Sequence, residues 1–368
     1  MWRDWRNRLL SNARFQRFAA AFPPTRARAR HEARALFDIV AGFTYSQITL
    51  ACVRAGLLTG LAKGAVAEAQ VLPWLSMSAP AAQTLLRAAT ALELIEPRVL
   101  GGEPAWALGR RGAALLGNPG VLAMIEHHAV LYGDLSDPLG MLRAPRGATA
   151  LARYWPYANA AQPAEAPAAA SLEYTRLMAA SQGLVAEEIL DAYRVRTHRR
   201  VLDVGGGDGS FLRALAPRAP GAELVLFDLP SVAEVARQRF AAAGLEGRAT
   251  VVGGDFTRDA LPPGADLITL VRVLHDHDDP RVERLLRAAH AALAPGGRLL
   301  VAEPLAATPG AQRMGAAYFG IYLWAMGSGR PRSAAELTAM LRDAGFRRIR
   351  QRPTRLPLQT SVLVAERG

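Results

Sequence analysis

The stretch Val201–Ser210, VLDVGGGDGS, decides the fold because it joins a strand pattern to a helix pattern through a run of glycines. Val-Leu-Asp-Val predicts a short buried strand, and SFLRALAPRAP predicts the helix that follows. Glycines let the backbone pass close under a ligand, and the first turn of a helix offers free N–H groups. A dinucleotide site of the G-x-G-x-x-G/A type would need Gly or Ala where the chain has Ser210. The chain instead has an acid, Asp203, followed by glycines at every second position: Gly205, Gly207 and Gly209.

Strand and helix patterns alternate from His198 onward, which predicts a parallel sheet with helices on both faces. The predicted strands are Arg200–Val204, Glu223–Phe227, Ala249–Val252, Asp266–Leu274 and Arg298–Ala302. The closing stretch Arg347–Glu366 predicts two more strands, the last two of the sheet. We therefore expect an α/β fold in which a Rossmann-like domain, residues 198–368, contains a mixed seven-stranded sheet.

Polar residues follow the second, third and fourth of these strands. Asp228 comes 23 residues after Gly205, at a strand end where a carboxylate can accept hydrogen bonds from ribose hydroxyls. The alternative is a turn acid before Leu229-Pro230. We predict that Asp255 accepts from an adenine amine and that Phe256 packs on the ring. We also expect Arg272 to contact the cofactor.

The first half of the chain predicts helical segments of three kinds. Residues 1–35 form a basic amphipathic arm that could lie in a membrane interface or pack on a partner subunit. Residues 36–170 predict helices followed by a hairpin around Gly101-Gly102, an order typical of a winged helix, and end in an Ala/Pro-rich link at 158–170. Residues 171–197 predict a long helix that links this region to the sheet domain.

The charge and cysteine content limit the partners. The net charge of +12 comes almost entirely from arginine, which favours nucleic acid or an anionic membrane surface. The candidate recognition helix offers only Arg87 and Gln83 to read bases, so we expect a dimerisation domain and no nucleic acid. The single Cys52 suits a reducing cytoplasm, and arginines interrupt any signal peptide. The uncharged run Ile39–Val53 is too short for a bilayer span.

Several motifs occur together in one order: VLDVGGGDG, FDLP, GGDF, LHD and APGGRLLVAEP. With the N-terminal module they resemble the S-adenosylmethionine (SAM)-dependent O-methyltransferases of the caffeic-acid type, over about residues 36–366. The resemblance implies SAM as cofactor, S-adenosylhomocysteine as product and no metal. It also implies that His275 is the general base and that Glu303, at the end of the next strand, steadies it. The family often has Trp where this chain has His277, and a second acid where it has Pro331.

The chemistry of methyl transfer supports a histidine at this place. SAM presents a methyl group on a cationic sulfonium, an alcohol oxygen attacks in line, and its proton must leave. A neutral imidazole can take that proton, and Glu303 or Asp276 could hold it in the needed tautomer. His277 is the rival base. Asp278 and Asp279, the last two acids of HDHDDP, are expected to stabilise the start of the next helix, with Asp279 as its N-cap. The pair His127-His128 with Asp134 does not match a metal-ligand spacing.

A further set of stretches resembles bacterial carotenoid hydroxyl methyltransferases of the hydroxyneurosporene or demethylspheroidene type. They are RFQRFAAAFP, LFDIVAGFTYSQ, SLEYTRLMAASQGLVAEE, LVRVLHDHDD and RMGAAYFGIYLWAMGSGRPRS. This resemblance implies transfer to the tertiary C1 hydroxyl of an acyclic carotenoid. The run Met314–Met326 has no charged face, which suits a long apolar substrate or a buried helix. The candidate substrate contacts are Met178, Met314, Tyr318, Phe319, Tyr322 and Met326.

Two other functions remain open from the sequence. One is methylation of a phenol or an aromatic polyketide by the same fold. The other is a SAM-binding regulator or a nucleic-acid methyltransferase, which the basic composition and the winged-helix pattern would suit. We expect a homodimer in the cytoplasm, with peripheral contact to the inner photosynthetic membrane where an apolar substrate would be met.

Overall fold

The computed structural model describes residues 1–155, 168–357 and 359–368. The described chain forms two compact units, Met1–Gly117 and Asn118–Gly368. Most of the predicted Ala/Pro-rich link, 158–170, lies outside the described residues. The four-part division expected from the sequence stays a prediction.

The first unit contains helices around a small antiparallel sheet of strand order β1-β3-β2. A two-residue loop, Gly101-Gly102, joins β2 to β3, and both glycines have positive φ as tight hairpin turns require. The predicted hairpin is therefore confirmed. The elements are α1 (Trp2–Leu10), α2 (Ala13–Ala21), α3 (Pro23–Arg54), α4 (Leu57–Gly60), β1 (Val66–Ala67), α5 (Glu68–Leu75), α6 (Ala79–Ala91), β2 (Ile95–Leu100), β3 (Glu103–Leu108) and α7 (Arg110–Leu116).

Helix α3 has 32 residues and continues through the predicted arm boundary at residue 35 without a break. Arginine and alanine, which fill its first half, are both strong helix formers. An 18-residue window of this helix has a mean hydropathy of 1.4, enough by length and composition to cross a membrane. The run Ile39–Val53, which was expected to be too short for a bilayer span, is only the uncharged part of this longer helix. Of the 18-residue window, 11% is buried within the protein.

The second unit is built on a seven-stranded sheet of order β6-β5-β4-β7-β8-β10-β9. Strands β4 to β8 run parallel, and β10 pairs antiparallel with both β8 and β9. The mixed seven-stranded sheet predicted from the sequence is thus confirmed. Its strands are β4 (Arg200–Val204), β5 (Glu223–Asp228), β6 (Ala249–Gly253), β7 (Ala265–Val271), β8 (Leu293–Glu303), β9 (Phe346–Arg352) and β10 (Ser361–Arg367).

Helices cover both faces of this sheet and bury a separate apolar cluster on each face. Apolar residues of successive strand positions point to opposite faces, so every strand except β9 contributes to both clusters. The helices of the unit are α8 (Pro119–Asp134), α9 (Pro138–Arg143), α10 (Ala150–Tyr154), α11 (Ala168–Ala192), α12 (Ser210–Leu215), α13 (Pro230–Ala242), α14 (Asp279–Ala292), α15 (Phe319–Met326) and α16 (Ala334–Asp343). A π-helix, Arg313–Tyr318, leads into α15.

The fourth predicted strand, Asp266–Leu274, ends three residues earlier than expected. Strand β7 stops at Val271, Arg272 has a φ of +59°, and a 3-10 turn follows at Leu274–Asp276. Positive φ is uncommon for a residue with a side chain and is found at functional sites held by their surroundings. The turn lifts the next residues out of the sheet, at the edge where the carboxyl ends of the parallel strands meet.

Candidate active site

The glycine loop after β4 forms the floor of a cleft of about 670 Å³. Gly205, Gly207 and Gly209 all have positive φ between 61° and 77°. A Cβ on Gly205 would lie 2.8 Å from the Val273 side chain, and the N–H of Gly205 donates to the carbonyl of Phe227. The loop therefore has the backbone conformation and the close approach that only glycine allows.

Two carboxylates line this cleft, the half-buried Asp228 and the buried Asp203. Asp228 accepts from the N–H groups of Gly207 and Leu229, both at 2.7 Å, and burial raises its pKa to about 6. Asp203 accepts from the Thr269 hydroxyl at 2.6 Å, while its other oxygen has no hydrogen-bond partner in the described part of the chain. Burial raises the pKa of Asp203 to about 7. Buried acceptor oxygens beside a cleft suit a ligand that brings hydroxyl or amine donors.

A second cavity of about 540 Å³ shares Gly205, Asp228 and Leu229 with the first. Asp255 lines it and accepts from the N–H and hydroxyl of Thr257 with one oxygen, while its other oxygen has no partner within the residues that the structure describes. The rings of Phe256 and His277 meet edge to face at 5.2 Å. An aromatic wall next to an acceptor oxygen fits a flat base that carries an amine, as predicted for Asp255 and Phe256.

Arg272 also lines the first cleft. Its guanidinium donates to the Ser181 hydroxyl at 2.7 Å and contacts the Met178 sulfur at 3.0 Å. In the described chain no carboxylate lies within 4.0 Å of it, so an uncompensated charge faces the cleft. The cleft thus combines carboxylates that can accept from a ribose with a cation that can bind a carboxylate, which fits SAM. Met178, predicted as a substrate contact, lines this same cleft, as does Thr175, which the sequence did not single out.

His275 occupies the 3-10 turn between two acids. Its Nδ1 is hydrogen-bonded to Oε2 of Glu303, and its Nε2 lies 3.1 Å from Oδ1 of Asp276. Burial alone would lower the pKa of His275, but the two carboxylates more than offset this and raise it. The second oxygen of Glu303 accepts from the N–H groups of Val273 and Leu274 at 3.0 and 2.7 Å. The structure thus brings together the three predicted catalytic residues.

A buried arginine that the sequence did not assign holds this turn in place. The Arg332 guanidinium donates to the carbonyls of Leu274 and His277, both at 2.7 Å, and to Asp279 at 2.6 Å. Asp279 was expected to cap helix α14, but it is the first residue of the helix and pairs with Arg332 and Arg330. The N-cap is Asp278, whose carboxylate accepts from Arg146 and from the N–H of Gly329.

The rival histidine has different surroundings. His277 is buried, its Nδ1 has no hydrogen-bond partner among the described residues, and it lines the second cavity beside Asp255. Burial lowers its pKa to about 4.

An apolar cluster adjoins His275. The ring of Phe319 lies 5.9 Å from the His275 ring, and Tyr318 packs on Phe319 at 5.0 Å. Tyr322 and Met326 are buried within the same cluster on helix α15, whereas Met314 is partly exposed on the π-helix. The predicted substrate residues are therefore near one another, and Phe319 is the one that contacts the predicted base.

Two histidines of α8 join this cluster. His127 is hydrogen-bonded to Tyr322 at 2.8 Å, and His128 to Tyr318 at 2.7 Å. Burial lowers the pKa of both histidines, that of His127 to about 4. Among the described residues no cluster of metal-ligating side chains is present. The expectation that the reaction needs no metal stays a prediction.

Comparisons with known proteins show which family has this architecture. The family model for the O-methyltransferase domain matches residues 156–347. The demethylspheroidene O-methyltransferase of Cereibacter sphaeroides is 43% identical over 360 residues, which cover 98% of this chain and 94% of that protein. The namesake enzyme of Rhodobacter capsulatus is 43% identical over 92% of this chain and 83% of its own.

This chain is a SAM-dependent O-methyltransferase. It belongs to the caffeic-acid type of that family. The human N-acetylserotonin methyltransferase, solved in complex with SAM, has the same fold, with a TM-score of 0.74, 23% identity and coverage of 92% of this chain and 98% of that one. SAM is therefore the cofactor of this chain, and the binding roles of the glycine loop, Asp228 and Arg272 stay predictions.

Proposed function

We propose that this O-methyltransferase methylates the tertiary C1 hydroxyl of an acyclic carotenoid of the hydroxyneurosporene or demethylspheroidene type. The observation that carries the proposal is the 43% identity to the demethylspheroidene O-methyltransferase of Cereibacter sphaeroides over 98% of this chain. The apolar cluster beside His275 supports it, because a long hydrocarbon acceptor needs an uncharged wall next to the reacting hydroxyl.

His275 is the proposed general base. SAM supplies an electrophilic methyl group on its sulfonium. A tertiary aliphatic alcohol is too weak an acid to ionise beforehand at neutral pH, so the proton leaves late in methyl transfer. Glu303 accepts the Nδ1–H of neutral His275, which leaves the Nε2 lone pair to receive that proton.

The two acids also favour the state that follows proton transfer. In the imidazolium form the Nδ1–H and Nε2–H face the Glu303 and Asp276 carboxylates, and these same groups raise the pKa of His275. We assign Asp276 to this stabilisation and Glu303 to holding the tautomer. His277 is the weaker candidate, because a pKa of about 4 makes it a poor base at neutral pH.

The acceptor pocket is proposed along the π-helix and helix α15. Phe319 would pack on the acceptor next to its hydroxyl, since its ring touches His275. Tyr318 and Met314, both partly exposed, would line the hydrocarbon path, and the buried Tyr322 and Met326 would form its wall. Met178 would meet the methyl-donor end, because its sulfur lies against Arg272 in the cofactor cleft.

Product identification tests the substrate. The purified enzyme would be incubated with SAM and a 1-hydroxylated acyclic carotenoid in detergent, beside the same carotenoid without the hydroxyl and a panel of phenols. We expect a methoxy group at C1, seen by mass spectrometry and NMR, and no product from the other acceptors. Methylation of phenols alone would rule out a carotenoid as the acceptor. The enzyme would then be a phenol or polyketide methyltransferase.

We further propose that the enzyme is a homodimer through its first unit. Helix α3 exposes a stripe of large apolar residues, each between 62% and 74% exposed: Leu36, Phe37, Ile39, Val40 and Phe43. Apolar patches of this kind mark subunit interfaces in soluble proteins. Sedimentation should show a dimer that Val40→Glu dissociates, and a monomeric parent protein would contradict the proposal.

A further inference from the structure

The charge of this enzyme is concentrated in its first 35 residues. This arm holds nine arginines and two acids, a net charge of +7, while the whole chain carries +12. In the described chain the only carboxylate contact of its arginines is an exposed one, between Arg28 and Glu32 at 4.0 Å. The arm therefore presents a field of unpaired positive charge, which attracts anionic surfaces.

The first two helices of the arm also expose aromatic residues. Trp2, Trp5 and Phe18 are 68%, 59% and 58% exposed. In α1 the two tryptophans lie three residues apart and share one face, and Arg3 and Asp4 lie away from that face. In α2, Phe18 stacks on Phe22 at 5.2 Å, so their rings form a second apolar ridge. Neither helix buries a residue in the first unit.

We propose that helices α1 and α2 dock this enzyme on an anionic lipid bilayer, with the aromatic rings in the interface and the arginines on the headgroups. Tryptophan and phenylalanine with arginine are the combination that interfacial helices use. The basic first half of α3 continues the positive surface. The exposed apolar stripe of α3 is instead the surface proposed to contact the second copy in the homodimer. The inference rests on the proposed function only in that an apolar acceptor would be met at the bilayer.

Flotation of the full-length enzyme with vesicles tests the inference without substrate. The vesicles would be pure phosphatidylcholine, or phosphatidylcholine with 30% phosphatidylglycerol, in about 0.1 M and 0.5 M salt. We expect flotation with the anionic vesicles at low salt, and loss of it at high salt. No binding, equal binding to both vesicles, or binding that resists high salt would overturn an electrostatic docking surface.

Two variants locate the surface. Changing Arg3, Arg6, Arg14 and Arg17 to Gln removes four charges from the arm, and each loss should weaken partitioning about fivefold. The matched control changes the exposed Arg342, Arg347, Arg350 and Arg352 of the second unit to Gln, with the same change in net charge. We expect the control to float like the parent. Equal losses in both variants would show a response to net charge only and would refute the arm as the docking site.

Further measurements distinguish membrane docking through the aromatic residues from a contact of the arm with a second copy of the chain. Trp2→Ala with Trp5→Ala should reduce flotation at least tenfold while the sedimentation coefficient stays unchanged. A changed oligomeric state with unchanged flotation would instead make the arm a subunit contact and overturn the inference. Methyl transfer in detergent should be unaffected by all arm variants, so a failure here is distinct from a failure of the carotenoid proposal.

Discussion

Replacing Glu303 by Gln is the sharpest perturbation of the proposed base. An amide oxygen can still accept from the N–H groups of Val273 and Leu274, so the turn is held as before. The amide nitrogen then faces Nδ1 of His275 and donates to it, which moves the imidazole proton to Nε2. His275 is left with its proton on the nitrogen that should accept one.

The expected cost follows from the loss of base catalysis. A positioned base contributes about 10²–10⁴ in rate, which corresponds to about 3–5 kcal/mol in the barrier. We expect Glu303→Gln to lower kcat by that factor in a labelled-SAM assay. Binding of S-adenosylhomocysteine, measured by calorimetry, should change little because the glycine loop and Asp228 are untouched.

A control with the same local geometry exists in the chain. Glu188 accepts from the N–H groups of Arg355 and Leu356 at 2.7 and 2.9 Å, as Glu303 does from Val273 and Leu274, but it has no histidine partner. Glu188→Gln should therefore leave kcat unchanged. A kcat for Glu303→Gln within about threefold of the parent would refute the tautomer argument.

Three further predictions concern the same unit. Because the base is the neutral form and the pKa of His275 is raised above 6.5, kcat should increase with pH through a midpoint above that value; a midpoint below it would contradict the assignment. Asp228→Asn should weaken S-adenosylhomocysteine binding about 10- to 100-fold by calorimetry, whereas Asp266→Asn, which also caps backbone N–H groups, should not. Gly209→Ala should cost about 2–4 kcal/mol in chemical unfolding, since its φ is +77° and its Cβ would lie 2.5 Å from a phenyl ring. Gly244→Ala has φ +66° and open space, so it should cost about 1–2 kcal/mol; equal losses would remove the packing argument.

The features that the sequence predicts well are local in the chain. The strand, glycine loop and helix around Gly205 follow from ten consecutive residues, and Asp228 follows from the end of the next apolar strand. The His275–Glu303 pair joins two neighbouring parallel strands, β7 and β8, whose carboxyl ends must meet at one edge. Periodicity places the strands and the glycine loop, whereas the pairing of His275 with Glu303 was implied by the family resemblance.

The features that the sequence misses depend on distant partners. Arg332 holds carbonyls 55 and 58 residues earlier in the chain, and no local pattern shows that contact. The early end of β7 was also missed, because Val271 to Leu274 are typical strand residues except for Arg272. The N–H of Arg272 still pairs with the carbonyl of Ala302, while its positive φ turns the chain away.

The most direct test of the account is methyl transfer from labelled SAM to a 1-hydroxylated acyclic carotenoid by the parent enzyme, His275→Ala and His277→Ala. The account predicts label in the carotenoid with the parent, a loss of about 10²-fold or more in kcat with His275→Ala, and a smaller change in kcat with His277→Ala. Label that appears only in phenols, or carotenoid turnover that survives His275→Ala, would contradict it.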